Sequence, residues 1–166
     1  METAPGSSLV AVLALLPDRG AIRDARLAEI YLRLHRQRPS IKAGRYEIPA
    51  GASTAQILEL LERGAVLLEQ LTVVEGSTFA DLRRALEKHP EITVTLRGKS
   101  DAEVMNTIGR PGEFPEGRFF PDTYRFAART TDVDLLKLAY TSMQRVLDSA
   151  WAQRDPTIPL KTSYEA

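Results

Sequence analysis

The sequence predicts an α+β fold, with a small module over residues 1–67 followed by a mixed α+β region over residues 68–166. Three features point there. Hydroxyl and carboxylate residues suited to helix N-caps recur ahead of apolar positions spaced three and four apart. Short β-rich runs alternate with those helical stretches. Gly, Pro and Ser punctuate almost every junction between them. With 166 residues, 43% hydrophobic and 27% charged, the composition is that of an ordinary folded chain rather than a disordered one.

Taken in order, Ser8 suits the cap of a helix ending near Pro17, and Gly20 follows where a left-handed residue is useful. Asp24 caps a second helix, with Leu27, Ile30, Tyr31 and Leu34 as its apolar stripe. Arg45-Tyr46-Glu47-Ile48 reads as a short strand ended by Pro49. Ser53 caps the next helix, with Ile57, Leu60 and Leu61 inward and Gly64 as its stop. Residues 66–74 are β-rich. Thr78 opens a helix that runs to about Lys88, and Pro90 closes it. Ser100 opens a short helix with Val104 and Ile108 on one side and Gly109 at its end. Residues 110–126 read as a loop with a short strand at its close. Thr131 starts the longest helix, reaching about Arg154 and carrying Leu135, Leu138, Ala139, Met143, Val146, Leu147 and Ala150.

One pattern repeats. Gly51, Ser53, Ile57 and Leu61 overlay on Gly76, Thr78, Leu82 and Leu86, and more faintly on Gly6, Ser8, Val12 and Leu16. The shared logic is a glycine turn, a hydroxyl cap two residues later, and apolar positions four apart on one helix face. Strand–turn–helix units of this kind occur in many α+β proteins, so spacing alone leaves the purpose of the echo open.

Composition narrows the chemistry. Lys and Arg number 22 and Asp and Glu 22, so the formal net charge is zero and no basic surplus argues for nucleic acid. No Cys is present, which excludes disulfides, thiolate zinc sites and cysteine nucleophiles. His35 and His89 are isolated and read as surface histidines, leaving carboxylates as the natural acid–base groups. The residues predict no metal site and no cofactor. The longest apolar run, residues 9–16, is about half of the ~20 residues that span a bilayer, and it lacks signal-peptide flanks. Met1 followed by Glu-Thr-Ala-Pro-Gly reads as the start of an excised, soluble piece.

The loop over residues 112–126 is the most unusual stretch. It holds four of the five Phe residues, Phe114, Phe119, Phe120 and Phe126, together with Tyr124. Glu113, Glu116, Asp122, Arg118 and Arg125 are interleaved with them. Rings that stack on sugar C–H faces beside carboxylates that accept hydroxyl protons suit a carbohydrate groove, and an aromatic wall can raise a carboxyl pKa. Equally, the rings could anchor a long loop to the core, with Glu116 as a surface charge. Residues 19–45 carry a local basic excess that suits either an anionic polymer or a solvated helix face.

The run Pro115-Glu116-Gly117-Arg118-Phe119-Phe120-Pro121-Asp122-Thr123-Tyr124-Arg125-Phe126 closely resembles the signature of YceG-like (MltG-type) endolytic murein transglycosylases. Lys42-Ala43-Gly44-Arg45-Tyr46 before Ile48-Pro49-Ala50-Gly51 resembles the same family. So do Val73-Val74-Glu75-Gly76 and the long helix followed by Leu160-Lys161-Thr162-Ser163-Tyr164-Glu165-Ala166. The likeness covers nearly the whole chain in the family's order. Val74, Ser77 and Ser163 depart from it, at positions that affect turns more than chemistry.

The resemblance implies a LysM-like module followed by a transglycosylase domain that cuts nascent peptidoglycan strands internally, in cell-wall assembly. Such an enzyme, a carbon–oxygen lyase, protonates the glycosidic oxygen and then deprotonates the muramic acid C6 hydroxyl, closing a 1,6-anhydro ring where a hydrolase would admit water. The family's catalytic glutamate follows the Tyr-Glu-Ala matched by Tyr164-Glu165-Ala166. No catalytic residue is therefore expected within this chain, Glu165 included, and the chain alone is expected to be inactive. Glu116, Phe119, Phe120, Asp122 and Tyr124 are the candidate substrate-binding residues. Glycan strands and peptidoglycan synthases are the implied partners. The implied setting is the periplasmic face of the inner membrane, with the parent protein anchored by an N-terminal helix that precedes this region. The alternatives are a non-catalytic glycan-binding module and an anionic-polymer binder acting through residues 19–45.

Overall fold

The computed structural model describes residues 2–3, 44–49, 51–155 and 157–165. The helices expected after Ser8 and Asp24, the basic stretch up to Lys42, and His35 lie outside the described residues. The described elements form a mixed α+β fold with small sheets and four helices. By its contacts the chain divides into two compact units, Met1–Leu68 and Glu69–Ala166.

In the first unit, β1 (Glu2–Thr3) lies antiparallel to β2 (Gly44–Tyr46), with Glu2 opposite Arg45 and Thr3 opposite Gly44. β2 is antiparallel to the opening of β3 (Val66–Thr72), with Arg45 opposite Leu67 and Tyr46 opposite Val66. Between them runs α1 (Thr54–Arg63). Ser53 caps it reciprocally: its Oγ accepts from Gln56 N at 3.3 Å, and Gln56 Oε1 accepts from Ser53 N at 2.8 Å. Gly64 ends the helix in the left-handed conformation, φ 61°. Among the described residues of this unit, Tyr46, Ile57 and Leu61 are buried, at 0–1% exposure. The strand expected over residues 45–48 stops at Tyr46. In this register Glu47 would pair with Ala65, but the Ala65 N–H is already given to Leu60 O, at 3.2 Å, in closing the helix.

In the second unit the elements are α2 (Phe79–Lys88), β4 (Ile92–Thr93), α3 (Asp101–Thr107), β5 (Thr123–Ala127), β6 (Thr130–Thr131), α4 (Asp132–Ala152) and a short 3-10 turn, Ser163–Glu165. β5 neighbours β3, whose residues 69–72 belong to this second unit, while β4 and β6 pair in parallel, Ile92 opposite Thr130. Thr78 and Ser100 cap α2 and α3 with the same reciprocal box as Ser53, through Asp81 and Glu103, and Thr131 caps α4. β5 alternates, with Thr123 and Arg125 outward and Tyr124 and Phe126 inward. Those two rings meet Phe79, Leu82 and Leu86 of α2, Val104 and Met105 of α3, and Leu135, Leu136, Ala139 and Tyr140 of α4 in one core.

The apolar stripe expected along α4 holds only in part. Leu135 and Ala139 are buried, but Leu138 is 45% and Val146 43% exposed. Leu136 and Tyr140 take their place in the core, because the buried face of the helix runs through 135, 136, 139 and 140, and the helix extends past that core. Among the described residues, no helix is long and apolar enough to cross a membrane.

Candidate active-site cleft

Gly76, at φ 77°, turns the chain out of the β3 segment, and two residues later Thr78 caps α2. The echo between residues 51–61 and 76–86 is thus a repeated way of entering a helix, since Gly51 has φ 80° and Ser53 caps α1 in the same manner. Residues 115–121 close over the start of α2, and the space between is a cleft of about 250 Å³. Val73, Val74, Gly76, Ser77, Thr78, Phe79 and Leu82 line one side of the sequence; Pro115, Glu116, Gly117, Phe119 and Pro121 supply the motif loop, with Met143 from α4.

Glu116 is the acidic group of this cleft. Its Oε2 accepts the backbone N–H of Phe79 at 3.0 Å, at the first residue of α2. An N–H in the first turn has no partner inside its helix, and the N-terminal end of the helix dipole favours negative charge. The backbone carbonyl of Glu116 accepts the Tyr164 hydroxyl at 2.9 Å. Phe119 stacks on Phe79, with ring centroids 5.0 Å apart, and meets Tyr140 edge-on at 6.2 Å. Behind the loop, Tyr140 OH donates to Glu113 Oε2 at 2.7 Å, and Arg118 Nε lies 3.5 Å from the same oxygen. Arg110 covers the Tyr140 ring and Arg118 the Tyr164 ring, at 4.5 and 3.7 Å from their centroids. Burial, and then the bond to Glu113, raises the Tyr140 pKa above the ordinary phenol value.

Of the residues named from sequence, Glu116 and Phe119 come together in the cleft. Phe120, Asp122 and Tyr124 are not among its lining residues. Phe120 is half-buried and gives its backbone N–H to Ala139 O at 3.1 Å. Asp122 is exposed; its backbone carbonyl accepts from Val73 N at 2.9 Å, and its Oδ1 from Thr123 N at 2.6 Å. Tyr124 is 6% exposed and its hydroxyl donates to Phe120 O. Burial, with the Asp122 carboxylate nearby, pushes its pKa up to about 12. The alternation of β5 and a phenol satisfied by its own loop explain why this ring turns inward.

Two residues gained a role that their sequence context did not suggest. Asp132, 2% exposed, accepts from Thr95 N, Thr95 Oγ1 and Leu96 N at 2.9, 2.6 and 2.9 Å, and from Val133 N at 2.9 Å. It pins the chain after β4 to the start of α4. His89 is not a plain surface histidine: its ring sits between Gln70 O and Glu91 N and packs edge-on against Phe126. An acidic first turn and a helix-end histidine are ordinary in any sequence, so nothing local marked either. Among the described residues, no three His, Asp or Glu side chains are grouped to hold a metal ion.

A mixed α+β domain whose motif loop brings a carboxylate and a phenylalanine to a cleft at a helix start defines the class. The chain belongs to the YceG-like family, whose model matches residues 1–166. It is also similar to a crystal structure of a yceG-like protein from Listeria monocytogenes, at 18% identity and a TM-score of 0.41. That similarity takes in 92% of this chain and 55% of the other, so this chain spans about half the length of that protein. A search of the curated proteins found no match.

Proposed function

We propose that the cleft binds peptidoglycan glycan strands and that the protein acts in their endolytic cleavage to 1,6-anhydromuramoyl ends, as an MltG-type lytic transglycosylase. The observation that carries this reading is Glu116, a carboxylate held at the mouth of a helix among apolar and ring surfaces. Val74, Pro115, Pro121 and Met143 suit sugar C–H faces, and the Ser77 hydroxyl and the second Glu116 oxygen suit sugar hydroxyls. In this reading Glu116, with Oε2 on the Phe79 N–H, positions the glycan, and the proton shuttle is a different residue. General acid–base transfer, worth about 10²–10⁴-fold, belongs to the family's glutamate, on the segment that follows the Tyr-Glu-Ala match. Residues 1–67 act in this reading as the LysM-like module; the opening lined by Pro49, Gly51, Ala52, Gln56, Ile57 and Leu60 supports a second glycan contact there. The setting is the periplasmic face of the inner membrane, with peptidoglycan synthases as neighbours.

The experiment uses purified, uncrosslinked glycan strands, with binding read by calorimetry and new 1,6-anhydro ends counted by chromatography. Binding that weakens in Glu116→Ala and in Ser77→Ala supports the reading. Strands that bind neither wild type nor variants overturn it. Release of anhydro ends by this chain that Glu116→Gln abolishes would make Glu116 the proton shuttle and overturn its positioning role.

A further inference from the structure

The motif loop is fastened from outside by the turn Ser163–Glu165. Tyr164 OH donates to the Glu116 carbonyl at 2.9 Å, and Arg118 Cζ lies 3.7 Å from the centre of the Tyr164 ring. Gly117 stands between these two contacts, at φ 72°, and a Cβ added there would meet Tyr164 Cε2 at 3.8 Å. The ring therefore closes over bare backbone. Arg118 is largely buried, its side chain 17% exposed, and its Nε has no hydrogen-bond partner, so the Tyr164 ring and the Glu113 carboxylate are its compensating contacts.

The fastening itself is slight. Tyr164 is 41% exposed and no residue of its turn is buried. Glu165 Oε2 holds the turn by accepting from Lys161 N and Thr162 N at 2.6 and 3.3 Å. Such a segment opens without the core unfolding. Yet it grips Glu116, whose carboxylate reaches the cleft: Glu116 is held by its carbonyl to Tyr164 and by Oε2 to the start of α2.

We infer that Tyr164 is a positioning residue, a strap whose docking on Glu116 and Arg118 sets the Glu116 carboxylate in the cleft, so that strap docking and saccharide binding are coupled. This rests on the saccharide reading of the cleft. The coupling runs both ways: a docked strap raises saccharide affinity, and bound saccharide shifts the strap's docked–undocked equilibrium toward the docked state by the same factor. Anything that pulls residues 163–165 off the loop lowers the affinity of the cleft.

Two substitutions separate the contacts. Tyr164→Phe keeps the ring beneath Arg118 and removes the hydroxyl; Tyr164→Ala removes both. The probe is the purified glycan strand, measured by calorimetry, with amide hydrogen exchange of Phe79 and of residues 163–165 followed with and without it. Tyr164→Phe should weaken binding about two- to tenfold, the range for one hydrogen bond, and Tyr164→Ala further, each with a small fall in Tm and the core still folded. Strands should slow exchange at 163–165 in the wild type, and Tyr164→Ala should quicken exchange of the Phe79 amide. Wild-type affinity in Tyr164→Ala, while Glu116→Ala binds weakly, overturns the strap and leaves the saccharide site standing. If no variant and no wild-type chain binds strands, the saccharide reading fails by itself. The Phe79 amide then decides the strap: faster exchange in Tyr164→Ala supports it, and unchanged exchange overturns it.

Discussion

The Glu116 carboxylate accepts the backbone N–H of Phe79 at 3.0 Å, across 37 residues of chain. One bond therefore joins the motif loop to the first turn of α2, and the two become opposite walls of one cleft. The pairing combines a donor that α2 cannot use internally with a charge that its dipole favours. Glu116→Ala leaves that donor without its partner and should cost about 1–3 kcal/mol in urea unfolding. Glu116→Gln keeps an acceptor oxygen and loses only the charge, so it should cost about 0.3–1 kcal/mol.

Thr78 is the other anchor of the same helix start. Thr78→Ala should lower stability by about 1 kcal/mol, and Thr78→Ser should restore most of it, read from the urea midpoint. The Thr78 hydroxyl and N–H, and then Arg84, hold the Asp81 carboxyl below its ordinary value of 3.8. A lowered folded pKa gives stability that is present above 3.8 and lost as pH falls through the folded value. The acid limb of a stability–pH curve should accordingly be shallower in Thr78→Ala.

Asp132 should be the most sensitive carboxylate in the second unit. Asp132→Ala strands the N–H groups of Thr95, Leu96 and Val133 at a buried site, and should cost about 3 kcal/mol or more. Asp132→Asn retains one acceptor oxygen and should fall between that variant and wild type. Denaturation of both variants beside wild type checks the order.

The buried phenol of Tyr124 predicts an alkaline limit. Its pKa rises from 10.0 in the unfolded chain to about 12 when folded, through burial first and the Asp122 carboxylate second. A raised folded pKa means its contribution is complete below pH 10 and is lost between pH 10 and about 12. Ultraviolet tyrosinate titration should show the Tyr124 phenol ionising late, together with unfolding, and Tyr124→Phe should remove that phenol from the titration.

Gly76→Ala tests the turn into α2. An added Cβ meets nothing within 4 Å, so the cost is that of the backbone conformation alone, φ 77°. That cost should be about 1–2 kcal/mol by thermal or urea unfolding.

Much of this architecture is written locally. Ser53, Thr78, Ser100 and Thr131 are all legible as N-caps because each works on a residue three positions ahead. Gly64 ends α1 for the same kind of reason, since a left-handed residue acts on carbonyls within one turn. The family signature over residues 115–126 is equally contiguous, and so was Glu116 as a candidate.

What the signature did not contain is which of its side chains would face a cleft. Phe119, Phe120 and Tyr124 look alike in sequence, and their burial depends on partners elsewhere: Phe79 beneath Phe119, Ala139 against the Phe120 backbone. The buried face of α4 shifted from Leu138 to Leu136 and Tyr140 by the same cause. His89 reads as a surface residue in sequence and nothing local marks the contacts of Asp132 or Tyr164; partners 19, 37 and 48 residues away supply them. Local sequence determined where helices start and stop and which residues were eligible for chemistry, because those contacts close within one helical turn. Only the tertiary structure decided which of them meet, because burial and long-range hydrogen bonds depend on segments whose arrival no spacing encodes.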